Sequence, residues 1–331
     1  MDHLLQTETG AGKHCQIWVF LRLWETLFFP HWRKMMSNKP SFKFAVIGTG
    51  MVGTAIGSLL KKAGYEITAM TDPSSAHLKR AQSYITGAAC CRYPSQAAGL
   101  ADCLLITTPD DSIASVCAEI VDGSSVKGKK IFHLSGAGGL DLLAPATKAG
   151  AMVASIHPLQ SFSSIDSAIS NIPGSYFGVT AVAGLKKFSS AIVRDLRGIP
   201  IYVTPEQKPL YHAAACMASN YLVSLMSVVE SIYLSIGFSE KDARKAYLPL
   251  VYGSLKNLET QGCPNALTGP IARGDSGTVQ KHIKAISCHL PQYASLYANM
   301  GMIAVKLARQ KGTLSLSQAK IMTKLFKGAQ K

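Results

Sequence analysis

The sequence lacks a metal frame. Its eight cysteines, at 15, 90, 91, 103, 117, 216, 263 and 288, form no C-x-x-C pair and no Cys/His set at zinc-finger spacing. Neither a structural zinc nor a dithiol centre is expected, and several of the thiols sit in apolar stretches where cysteine acts as a small hydrophobe. Repeats and low-complexity tracts are missing as well, which excludes solenoids and disordered tails. No uninterrupted apolar run reaches the ~18 residues of a bilayer span, so no membrane segment is expected. Charge is scarce, at 16% of residues against 47% apolar, which argues for a well-buried globular chain.

Acid is the scarcest charge. The formal balance is +15, and residues 301–331 carry Lys306, Arg309, Lys311, Lys320, Lys324, Lys327 and Lys331 with no Asp or Glu. No recognition motif accompanies this excess, so it reads as a solvated helix face rather than a nucleic-acid surface. It would also draw in small anions. Residues 1–40 read as an extension ahead of the domain. The segment IWVFLRLWETLFF (17–29) is broken by Arg22 and Glu25 and has no small-residue cleavage site after it. An amphipathic surface anchor is the rival reading. A cytoplasmic location is expected.

What is present begins at FKFAVIGTGMVGTAIG. A short apolar run, a glycine turn and a helix pattern place Gly48, Gly50 and Gly53 in G-x-G-x-x-G. The first glycine permits the turn, the second admits a pyrophosphate, and the third lets helix and strand pack closely. The turn residues Thr49, Met51 and Val52 belong to the same cofactor site. A second strand, YEITAMTD, ends at Asp72, where an acid accepts hydrogen bonds from an adenosine ribose. The alternative for Asp72 is a helix cap. An acid there repels a 2′-phosphate, so the reading leans to NAD over NADP, with Lys79 and Arg80 close enough to keep NADP open.

Further strands end in polar residues: Thr107, Thr108 and Pro109, with Asp110 placed to cap the next helix; Ser135 and Gly136; and His157, Pro158, Gln160 and Ser161. Strands alternating with helices predict a Rossmann-type parallel sheet over 41–204, with ligands beyond the carboxyl ends of its strands. Thr107 and Pro109 then border the cofactor. Past residue 204 the strand pattern stops, and 205–331 reads as an all-helical substrate and dimerisation domain, opening with one long apolar helix from about 205 to 237. Within it, 212, 216 and 220 progress by about 40° per four residues, which puts His212, Cys216 and Asn220 on one stripe.

Four stretches, PDDSI (109–113), HLSGAGG with HPLQSF, LYHAAACMASNYL (210–222) and LTGPIARGD (267–275), resemble the 6-phosphogluconate dehydrogenase-like enzymes, among them pyrroline-5-carboxylate reductase and ketopantoate reductase. The nearer resemblance is to predicted oxidoreductases that join a Rossmann-like domain to a C-terminal domain of unknown function. It implies an NAD(P)-dependent oxidoreductase, working as a homodimer on a small anionic substrate with a carbonyl, alcohol or imine. In ketopantoate reductase-like enzymes the first helix of the helical domain presents a lysine acid and an asparagine. The matching places here are His212 and Asn220, with no lysine at either.

The resemblance also makes Ser135 and His157 candidate catalytic contacts, and Gly136, Gln160 and Arg273 candidate substrate contacts. The plainer readings are that Ser135 caps a helix, that His157 braces a loop, that Arg273 pairs with the helix cap Asp275, and that His212 and Asn220 lock an interface. A non-catalytic protein that senses a dinucleotide is the alternative function. A deazaflavin-dependent reductase is a further one that the fold alone allows.

Overall fold

The structure, a computed structural model, describes residues 42–329. The extension expected over residues 1–40 lies outside the described residues. The chain divides into two compact units between Ala215 and Cys216.

The first unit is a doubly wound α/β domain. Its elements, in order, are β1 (Lys43–Ile47), α1 (Met51–Lys62), β2 (Glu66–Thr71), α2 (Ser75–Gln82), β3 (Ala89–Cys91), α3 (Pro94–Gly99), β4 (Cys103–Ile106), α4 (Asp110–Gly123), β5 (Lys130–His133), α5 (Ala144–Lys148), β6 (Met152–Pro158), α6 (Ile165–Asn171), β7 (Tyr176–Ala181), α7 (Lys186–Asp195) and β8 (Ile199–Tyr202). The eight strands form one sheet in the order β3-β2-β1-β4-β5-β6-β7-β8. The chain starts at β1, winds outward to β3, then restarts beside β1 with β4. The strand order therefore reverses between β1 and β4, and a crevice opens there at the carboxyl ends.

Strand periodicity explains how the sheet is buried on both faces. Phe44 and Val46 enter one core with Leu105, Phe132 and Ile156. Their neighbours Ala45 and Ile47 enter the opposite core with Leu104, Ile106 and Ile131. Successive side chains point to opposite faces, so near-continuous apolar strands are what a sheet covered on both sides requires.

The expected all-parallel sheet needs one correction. β6 and β7 pair antiparallel, from Ala154↔Ala181 to Pro158↔Phe177, and β8 then runs parallel to β7. The backbone N–H of Leu159 donates to Tyr176 O at 2.8 Å and closes the pairing. The β6–β7 connection therefore stays at the carboxyl end of β6, which holds Gln160 and Phe162 beside the crevice.

The single helix expected from 205 to 237 is also corrected. A 3-10 turn, Pro205–Gln207, leads into α8 (Lys208–Ala218); the helix breaks at Ser219 (φ −111°, ψ −72°) and resumes as α9 (Asn220–Ser235). By length and composition the stretch Pro205–Ser235 could cross a membrane, with a mean hydropathy of 1.3. Its opening turns are instead pinned to the sheet, as the site shows, so they belong to the first unit.

The second unit is helical: α9, α10 (Glu240–Ala266, interrupted at Gly262), α11 (Gly269–Ala272), α12 (Ser276–His289), α13 (Ala294–Lys311) and α14 (Leu316–Gly328). Ser239 and Asp275 cap α10 and α12 by accepting from the N–H groups of Asp242 and Thr278. Its core gathers Val279, Ala298, Val305, Met322 and Phe326. α9 contributes no buried residue, and Tyr221 and Val223 on it are largely exposed.

Candidate active site

The glycine turn between β1 and α1 is built as its spacing predicts. Gly48 has φ +97°, and a Cβ there would meet the Thr107 backbone at 2.9 Å. A Cβ on Gly53 would strike Gly48 O at 2.1 Å, whereas one on Gly50 meets nothing within 4 Å. The turn is thus packed from below and open above, where α1 begins without a side-chain cap. Such a helix end offers free N–H groups and partial positive charge to an anion. Met51 is exposed at that end. Thr107 closes the floor by donating its hydroxyl to Gly48 O at 2.5 Å. Two buried hydroxyls at the reversal point, Thr49 Oγ1 beside β1 and Thr108 Oγ1 beyond β4, have no partner among the described residues. Leaving such groups unsatisfied costs about 1–3 kcal/mol each.

Asp72 stands at the end of β2 as expected, but its carboxylate is already engaged. It accepts from Thr49 N at 2.7 Å and Ser74 N at 2.9 Å, and His77 Nδ1 lies 3.2 Å away. Its side chain is only 7% exposed. It anchors the glycine turn to β2, while Ser74 caps α2 by accepting from His77 N.

Beyond the carboxyl ends of β4, β5 and β6 lies a cavity of about 260 Å³. It is lined by Val52, Thr107 and Thr108 on the glycine-turn side, and by Asp110, Ser135, Gly136, His157, Gln160 and His212 on the other. Of the candidate site residues, Val52, Thr107, Ser135, Gly136, His157 and Gln160 meet in one space, and His212 joins them from α8. Gly136 makes the approach possible, since a Cβ there would stand 2.3 Å from His212 Cδ2 and 2.8 Å from His157 Nε2. The two imidazoles meet edge to face, with centroids 5.7 Å apart.

The helix is interrupted at Ser219, and Asn220 opens α9 in the second unit. Arg273, exposed at the end of α11, belongs to that unit too. Neither lines the cavity. Among the described residues no lysine or arginine lines it either, so the expected anion has no cationic side chain on the wall. Pro109 precedes α4 as its N-cap residue and is exposed.

Asp110 does not cap α4 as expected. It is the first residue of that helix, and its Oδ2 accepts from Ser135 Oγ at 2.5 Å. Ser135 Oγ also accepts from Gly138 N at 2.8 Å. The hydroxyl proton of Ser135 is therefore committed to Asp110 and fixes the turn after β5. Gln160 is likewise braced: its Oε1 accepts from Ser161 N, and its Nε2 donates to Ser175 Oγ and Asn171 O.

His157 has a defined orientation. Burial first, then the positive Lys208, push its pKa down to about 4, so it is neutral near pH 7. Its Nδ1 lies 3.1 Å from Tyr211 Oη. Burial raises the Tyr211 pKa, and the N–H of Gly178 donates to its oxygen. Of the two tautomers, the one in which the phenol donates to His157 Nδ1 gives the Tyr211 proton an acceptor. Nε2 then carries the ring proton and faces Gly136 at the cavity wall.

Sequence reasoning missed Tyr211, the Asp110–Ser135 pair and Lys208. Lys208 is 1% exposed and donates to Ser135 O at 3.0 Å and to Ser155 Oγ at 2.8 Å. It sits one helical turn before His212, beneath the cavity rather than in it. The signal was a charged residue at spacing i, i+4 from His212 at the head of an apolar helix.

A doubly wound sheet followed by a helical unit, with polar groups at the strand reversal, defines the Rossmann-like class. A family described as a Rossmann-like domain matches residues 33–158, and the Domain of unknown function (DUF2520) matches residues 175–303. One sequence thus carries both matches, the Rossmann-like one first and the DUF2520 one second. No curated protein matches the sequence.

Solved structures share the fold. Protein TM1727 from Thermotoga maritima is 22% identical, with a TM-score of 0.66 over 81% of this chain and 99% of that one. A provisionally named NADP oxidoreductase, BF3122 from Bacteroides fragilis, is 17% identical, with a TM-score of 0.64 over 82% and 98%. A pyrroline carboxylate reductase from Plasmodium falciparum, solved with NADP bound, is 12% identical, with a TM-score of 0.53 over 87% and 99%. The lean to NAD finds no support in these proteins.

Proposed function

We propose that the protein is an NAD(P)H-dependent oxidoreductase that reduces a small carbonyl or imine. One observation carries the reading: a single cavity joins the wall of the glycine turn to two imidazoles and a carboxylate at the strand ends. The residues fit a dinucleotide. Gly48 through Gly53 and the start of α1 would hold the pyrophosphate, the orphan hydroxyls of Thr49 and Thr108 would gain partners, and Thr107 and Pro109 would border the nicotinamide. Asp72 would support this turn and meet the ribose only at its rim.

When bound, the reduced nicotinamide supplies a hydride to the substrate carbon. The chain supplies the rest. His157, neutral and with Nε2–H turned to the wall, donates a hydrogen bond to the substrate oxygen or nitrogen. A group neutral down to about pH 4 is a poor proton source near pH 7. His212, on the same wall, is therefore the residue proposed to deliver the proton. Asp110 favours a protonated imine over an anion at its end of the cavity, because a carboxylate stabilises a nearby cation. A substrate carboxylate would be met by the backbone around Gly136. We further propose that a second copy of the chain covers the exposed face of α9.

Turnover with a panel of 2-oxo acids, cyclic imines and the matching amines tests this, read as loss of the reduced cofactor's absorbance. Reduction of at least one imine or carbonyl, abolished in His212→Gln with cofactor affinity retained, is the expected outcome. Tight cofactor binding without turnover of any member would favour the sensor instead.

A further inference from the structure

Among the described residues, Lys208 is the one buried lysine, arginine or carboxylate of the first unit that the proposed chemistry does not use. Its ammonium closes a triangle under the cavity: it donates to Ser135 O and Ser155 Oγ, and Ser155 Oγ donates in turn to Ser135 O at 3.2 Å. Every polar atom of Ser135 is then engaged, since its N–H donates to His133 Nδ1 at 3.2 Å and its hydroxyl joins Gly138 and Asp110. One side chain of α8 thereby ties the ends of β5 and β6 together directly beneath Gly136. Because Lys208 and His212 are four residues apart on the same helix, the tie also sets where His212 stands.

We propose that Lys208 is a positioning residue of this site: its ammonium fixes the Ser135 peptide, and its charge opposes a second cation at His157, so that the ring stays neutral and its Nδ1 remains an acceptor for Tyr211 while Nε2–H faces the cavity. The surrounding charges agree in sign. Lys208, His212 and His133 oppose protonation of His157, and only Asp110 favours it. Lys208 itself is pushed down to about 8 by burial, with Asp110 acting in the other direction, so it remains mostly cationic at pH 7.

This inference deepens the reductase reading, but its test needs neither cofactor nor substrate. Histidine ring nitrogens of the full-length protein are followed by NMR against pH in wild type, Lys208→Gln and Lys208→Met. Lys208→Gln keeps a donor to Ser135 O and loses the charge; Lys208→Met loses both. In wild type, His157 is expected as the Nε2–H tautomer and neutral down to about pH 5, in keeping with its pKa of about 4. In Lys208→Gln its titration should move up by ~1 pH unit, the size of effect a close like charge exerts. In Lys208→Met the amides of Ser135 to Gly138 should also exchange with solvent faster. A cationic His157 at pH 6 in wild type overturns the proposal even if neither variant folds. A titration unchanged in folded Lys208→Gln overturns it as well. Once a substrate is in hand, Lys208→Gln should lower kcat by ~10-fold or more with cofactor KM unchanged, as expected when a reacting group is misplaced. A buried lysine with a purely structural role would move stability but neither the His157 titration nor kcat.

Discussion

Gly136→Ala isolates the geometry of the site from the cofactor loop. The added methyl would lie 2.3 Å from His212 Cδ2, 2.8 Å from His157 Nε2 and 2.9 Å from His157 Cε1. Carbon atoms pack best at ~3.5–4.0 Å, so at least one imidazole must retreat by ~1 Å. His157 is held from behind by Tyr211, which itself leaves no room for a Cβ on Gly178. Overpacking of this kind costs about 1–3 kcal/mol of stability. A ~1 Å error at a reacting group costs on the order of 10²-fold in rate. The expected result is a modest fall in Tm, near-wild-type affinity for the dinucleotide, and kcat down by ~10²-fold with the best substrate found. Melting, cofactor titration and turnover on the same preparation read all three. Full turnover in Gly136→Ala would show that neither imidazole acts at this wall.

Asp72→Ala should weaken NADH and NADPH alike, because it strands the Thr49 N–H and loosens the turn both share; a loss confined to NADH would restore the ribose-acceptor role. Stability should fall as pH drops from about 6.5 to about 4. His133 and His157 are both held near pKa 4, so over that range the unfolded chain binds protons that the folded one does not. For each group this amounts to on the order of 3 kcal/mol once pH is below both values. Acid melts of wild type check it, and a flat Tm over that range would contradict the neutral, buried state of both rings. The protein should run as a dimer by light scattering at micromolar concentration, and Val223→Glu on α9 should make it monomeric; a monomeric wild type would reject the second copy.

The parts legible in the sequence were those where one residue type answers one backbone need. Gly48 and Gly53 were readable because only glycine fits a positive φ or a contact at 2.1 Å with a carbonyl oxygen. Ser135, Gly136 and His157 were readable because parallel strands deliver their last residues to the ligand side. The lysine was not, because a lone Lys ahead of Pro209 and Leu210 reads as solvent-exposed, and only the tertiary fold brings it to Ser135 O and Ser155 Oγ. The helix break at Ser219 was not legible either, because that residue carries no glycine or proline signal. The reversal of β7 hid behind a strand–helix–strand pattern, since a seven-residue helix between β6 and β7 looks like a crossover in sequence. β3 is three residues long and has no periodicity to read.

The central claim is that the open glycine turn and the cavity beside it form one nicotinamide dinucleotide site. Calorimetric titration of the full-length protein with NADPH and with NADH, in wild type and in Gly50→Val, tests it most directly. A valine at 50 meets nothing within the protein that a Cβ would touch, so the fold should be preserved while the space above the turn is filled. The account predicts saturable binding of at least one reduced cofactor to wild type, and none to a Gly50→Val variant that melts like wild type. No binding to well-folded wild type, or undiminished binding to Gly50→Val, would contradict it.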